Sequence, residues 1–105
     1  MDDLGQLADE HLAKAESSPH GRSAHVILHN GYLRQTVIAL TAGTALEEHS
    51  APRAASLQVL RGRVSLTKAD GPQEIPAGHL HPIPPQRHGL IANEDSVVIL
   101  TTVTV

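Results

Sequence analysis

From Ala24 onward the chain is cut into short runs that alternate apolar and polar residues, each closed by a turn signal. Alternation at period 2 puts every second side chain on one face, the pattern of a strand with one buried side. The runs are Ser23 to His29, Tyr32 to Thr41, Ala45 to Ser50, Leu57 to Arg61, Val64 to Lys68, Gln73 to Ile75, His79 to Ile83, Gly89 to Ala92 and Val97 to Val105. Asn30-Gly31 between the first two is a strong short hairpin signal. Asp70-Gly71-Pro72, Pro76-Ala77-Gly78 and Pro84-Pro85 separate later runs. Strands that short, with turn signals roughly every 8–12 residues, predict a sandwich or small barrel.

Residues 3–16 follow a different period. Leu4, Leu7, Ala8, His11, Leu12 and Ala15 recur at the three-and-four spacing of one helix face. Asp2 or Asp3 is placed to cap the helix, and Ser17 to Gly21 end it. This helix is expected to cover an open end or outer face of the strands. The reading divides the chain into a helix and linker, 1–22, and a β-barrel domain, 23–105.

Composition narrows the function classes. At 105 residues the chain is the size of one domain. Its core must be aliphatic, because Tyr32 is its only aromatic residue. It has no cysteine, which excludes disulfides, thiol catalysis and thiolate metal sites. A net charge of −3 and no basic cluster give no expectation of a nucleic-acid partner. Val97 to Leu100, which no apolar run exceeds in length, is far short of a membrane span. No basic-then-apolar leader follows Met1, so a soluble cytoplasmic protein is expected. Eight histidines stand out against this background.

Two stretches gather several of those histidines. The first, Gly43 to Gly62, contains a turn glycine, a strand with His49, a break at Pro52, a second strand and a closing glycine. That order predicts a short antiparallel hairpin. The second, Gly78 to Asn93, contains His79, His81 and His88 around Ile83-Pro84-Pro85.

The first stretch resembles the first cupin motif, in which glycine, His-x-His, glutamate and glycine are set at fixed spacing. Gly43, His49 and Gly62 fall on its count, while Ala51 holds the second histidine position and Ala55 that of the glutamate. The second stretch is similar to the second cupin motif. Gly78, Pro84 and Asn93 fall on its count, Gln86 replaces the middle glycine, and His88 stands one place before the histidine position, held by Gly89. A one-residue offset turns a strand side chain to the other face unless the preceding turn absorbs it. The resemblance implies an all-β fold, a cupin-type jelly-roll β-barrel with a short N-terminal helix.

Cupins commonly hold a metal through three histidines and a glutamate. Carried onto this chain, His49 and His88 are the motif ligands, and His81 is the best third candidate. Glu47 shares the strand parity of His49, and His25 and His29 share a face of the first strand. Ala51, Ala55 and Gln58 are expected to line the pocket. One divalent metal (Zn, Fe, Ni or Mn) would suit such a set, but with two motif ligands replaced the site is expected to be empty or weak.

The function expected is binding of a small organic ligand in a barrel pocket whose polar end carries His49 and His88. The alternatives are a metal-dependent oxygenase or isomerase using His49, His88 and His81, and a non-catalytic structural or regulatory module. The apolar strand Val97 to Val105 is expected to be an edge that needs covering, which with the resemblance implies a homodimer.

Overall fold

A computed structural model describes residues 1–49 and 54–104, with the side chains of Glu48 and His49 outside the description. A helix, α1 (Leu4–Ser17), precedes nine strands. These are β1 (Arg22–Asn30), β2 (Leu33–Leu40), β3 (Ala45–His49), β4 (Ala54–Arg61) and β5 (Arg63–Lys68), followed by β6 (Gln73–Pro76), β7 (Leu80–Pro82), β8 (His88–Ala92) and β9 (Ser96–Val103).

The strands form two antiparallel sheets, one of order β1-β2-β9-β4-β7 and one of order β3-β8-β5-β6. β1 and β2 form the hairpin expected at Asn30-Gly31, with Gly31 at φ +60°. Asn30 and Leu33 are the last pair, so Gly31 and Tyr32 occupy the two central turn positions. Only the first has positive φ, as in a type II′ turn.

Two expectations of pairing are corrected. The stretch Gly43 to Gly62 is not a hairpin. β3 pairs with β8, whereas β4 pairs with β9 and β7, so the chain passes from one sheet to the other between them. Nor is β9 an edge. It lies inside the larger sheet between β2 and β4, because its apolar residues are buried on both faces.

Those faces belong to two cores. Ile38, Leu40, Leu57, Val59, Leu66, Leu90 and Val98 meet between the sheets. On the outer face of the larger sheet, Val37, Ala39, Val97 and Ile99 pack against Ala8 and Ala15 of α1. The helix therefore covers an outer face. Two alanines on its contact stripe let its axis approach the sheet closely. Asp3 is the cap: its Oδ1 accepts the Gln6 N–H at 3.0 Å. Leu4, in the first turn of the same stripe, is nonetheless exposed. Arg61 ties the helix to β4 through Asp9 and the carbonyl of Gly5.

Candidate functional site

Strand alternation fixes what enters the space between the sheets. On β2 the inward residues, counted from Leu40 back, are Ile38, Thr36 and Arg34. Cross-strand pairing places Thr36, Leu100 and Leu57 in one row, and Arg34, Thr102 and Ala55 in the next. One end of the interior is thus closed by Leu40, Val98 and Val59, and polarity rises toward the other end.

At that other end lies a cavity of about 340 Å³. Its walls are aliphatic: Ile38, Leu46, Ala55, Leu57, Leu66, Ile83, Leu90, Leu100 and Val103. The polar side chains on it are Arg34, His88, Thr102 and Thr104. The volume is at the lower end of the roughly 300–1,000 Å³ typical of small-molecule sites, which favours a compact ligand.

His88 is 5% exposed and lines the cavity. It pairs with Lys68 on β5 while Leu90 pairs with Leu66, which puts His88 and Leu90 in the same inward register. His88 thus faces inward although it stands one residue before the motif position. His88 Nδ1 lies 2.9 Å from the carbonyl oxygen of Gln86. A carbonyl only accepts, so Nδ1 carries the proton, and in the neutral ring the lone pair is on Nε2. This is the arrangement by which a second partner orients a ligating or proton-transferring imidazole.

The other expected site residues are dispersed. The backbone of His49 pairs with that of His88 across the β3–β8 ladder, after an irregularity following Leu46. Its side chain lies outside the described residues, as does Ala51. His81 pairs with Leu57 and so shares the inward face of the opposite sheet. Ala55 lines the cavity. Gln58 does not: it is exposed on the outward face of β4, since it has opposite parity to Leu57. Glu47 is exposed on β3.

His25 and His29 do not share a face, because the register shift at Ile27 reverses the parity between them. His25 pairs with Val37 and stacks on His11 under the helix, at 5.6 Å between ring centroids. His29 pairs with Arg34, beside the cavity row. Among the described residues no three histidine or carboxylate side chains gather around a point, so these residues alone do not supply a metal's ligand set.

Arg34 is a site residue that the motif spacing does not mark. Its signal lies in strand parity: stepping back by two from the apolar Ile38 reaches Thr36 and then Arg34. The apolar run of Val37 to Leu40, buried on both faces, hides that parity.

No protein-family model and no curated protein matches the chain. Solved structures do. A cupin-2 domain-containing protein from Shewanella frigidimarina superposes with a TM-score of 0.74 at 14% identity, covering 98% of this chain and 94% of that one. A cupin superfamily protein from Desulfitobacterium hafniense gives 0.73 at 10% identity, over 80% and 78%. A variant of salicylate 1,2-dioxygenase from Pseudoaminobacter salicylatoxidans, solved with gentisate, gives 0.76 at 15% identity, over 91% of this chain and 31% of the enzyme. Two antiparallel sheets in this order, with these neighbours, give the chain the jelly-roll fold of the small RmlC-like cupins.

Proposed function

We propose that the chain is a small-molecule-binding cupin, and that the cavity between its sheets is the ligand site. The observation that carries this reading is the gradient of the interior, sealed by aliphatic side chains at one end and open at the other around Arg34, His88 and Thr102. An interior whose only role was structural would gain by filling that volume, since protein interiors pack to crystal-like density. The cavity therefore weighs against a purely structural or regulatory module. Ala55→Phe tests the reading. The ring would project into the cavity, so small carboxylic acids and their amides, screened by ligand-observed NMR, are expected to bind wild type and to lose binding in the variant. Circular dichroism would establish that the variant is folded. Retained binding would place the site elsewhere.

A second reading, a metal-dependent oxygenase or isomerase, is favoured by one observation: the backbone register sets His49 opposite His88. With His81 as a third donor, Zn, Fe, Ni or Mn would be the metal. Elemental analysis of untagged protein after reconstitution, compared with the His49→Ala, His88→Ala double variant, separates the readings. Stoichiometric metal lost in the double variant supports the enzyme; no metal in wild type supports the binding protein.

The proposal includes a cytoplasmic homodimer with neither nucleic acid nor membrane as partner. Among the described residues no helix is long and apolar enough to cross a membrane. With β9 interior, the edge suited to a second copy is β1, nine residues long with Val26 and Leu28 exposed.

A further inference from the structure

Arg34 occupies an unusual place for a cation. It lies in the inward row of the larger sheet with Thr102 and Ala55, against the aliphatic wall of the cavity. Four other cations are matched, Lys14 by Glu10, Arg61 by Asp9, Arg63 by Glu74 and Glu94, and Lys68 by Asp70, whereas Arg22 at the start of β1 enters no ion pair among the described residues. Among the described residues Arg34 enters no ion pair, and no carboxylate of theirs competes for it.

A guanidinium is planar and permanently charged, and it presents a fork of N–H donors that matches the two oxygens of a carboxylate. Thr102, its cross-strand partner, adds a hydroxyl on the same face. Arg34 is the one arginine or lysine on the cavity among the described residues, and a single cation balances a singly charged anion. Phosphate, closer to a dianion, ordinarily draws several cations or a nest of backbone N–H groups. Beyond the fork the walls are mostly methyl and methylene groups, and among the described residues the His88 imidazole is the one ring on them, so the body attached to the carboxylate should be aliphatic.

We infer that the cavity takes a compact aliphatic monocarboxylate, its carboxylate held by Arg34 and Thr102 and its hydrocarbon body lying against Leu57, Leu66 and Leu100. This rests on the proposal above that the cavity is the ligand site. His88, on the facing sheet, is placed to meet a second polar group of such a ligand.

The test uses 4-methylpentanoate and its primary amide, which share a shape and differ in charge. Each is titrated by NMR against wild type, Arg34→Gln and Ala55→Phe. Arg34 is exposed, so its replacement leaves both cores intact. The acid should bind wild type at least about tenfold more tightly than the amide, the size expected when a charge-assisted hydrogen-bonded pair is lost. Arg34→Gln should weaken acid binding at least about tenfold and bring acid and amide to equal affinity, and Ala55→Phe should abolish binding of both. Equal affinity of acid and amide for wild type, or an acid affinity indifferent to Arg34→Gln, overturns the carboxylate assignment while leaving the cavity as the site. Binding that survives Ala55→Phe, or its absence for both compounds in wild type, overturns both.

Discussion

His11 is 4% exposed, and its Nδ1 lies 2.8 Å from the Ser23 hydroxyl. Burial under the helix lowers its pKa below the ordinary histidine value. Lys14 and stacked His25 lower it further, and Glu10 opposes them. The folded state therefore favours the neutral ring, whereas the unfolded chain takes up a proton near pH 6.5. Below that pH the unfolded state binds more protons than the native one, so stability falls as pH falls. His11→Gln removes the titrating group and should flatten the fall in Tm between about pH 7.5 and 5.5 relative to wild type, because that window spans the ordinary histidine pKa. A fall unchanged in the variant would assign it to other groups. The helical spacing in the sequence already puts His11 on the apolar stripe, since period alone determines it. Its partners Ser23 and His25 are not legible there, because docking of a helix on a strand is a tertiary event. The same limit applies to His25 and His29: their shared parity is real in the sequence, and an irregularity at Ile27 that no residue pattern announces undoes it.

Among the elements, the tight connection from β4 to β5 bears most on the site's frame. Gly62 stands there at φ +77°, and a Cβ on it would come within 2.3 Å of the Asp95 carbonyl oxygen and of Ser96 Oγ. Ser96 is fully buried, and its Oγ accepts the Arg63 N–H at 3.0 Å while the carbonyls of Arg63 and Glu94 lie within its reach as acceptors. This cluster ties the start of β9 to the turn. Gly62→Ala combines left-handed backbone strain with a backbone clash and should cost about 3 kcal/mol, measurable as a drop in the midpoint of urea unfolding. A cost below about 0.5 kcal/mol, the usual range of an innocuous surface change, would contradict this. The motif resemblance marks Gly62 but does not give its reason, which lies in the contact with Asp95 and Ser96, more than thirty residues away in sequence. Strand positions were legible throughout, because turn residues and period 2 are local. Partners were less so. The apolar strand β9 looked like an exposed edge, yet residues apolar on both faces are what a strand between a helix layer and a second sheet requires.

At the scale of the molecule, the two cores divide the labour. The helix and the outer face of the larger sheet form a filled core, while the space between the sheets is filled at one end and open at the other. That asymmetry is what leaves room in the fold for the proposed ligand. It could not be read from the sequence, because a cavity depends on volumes facing one another across two sheets. The proposed dimer belongs to this scale too. If β1 of one copy adds to β1 of another, sedimentation should show a dimer, and Val26→Lys with Leu28→Lys should convert it to a monomer, since lysines on an edge strand block such pairing. A monomeric wild type would remove the proposal. The central claim, that the inter-sheet cavity is where a ligand binds, is tested most directly by methyl-labelled NMR during titration with 4-methylpentanoate. The account predicts shifts confined to Ile38, Leu57, Leu66, Ile83 and Leu100, with Ala8, Ala15, Val37 and Val97 under the helix unmoved. Shifts centred under the helix, or none among the cavity methyls, would contradict it.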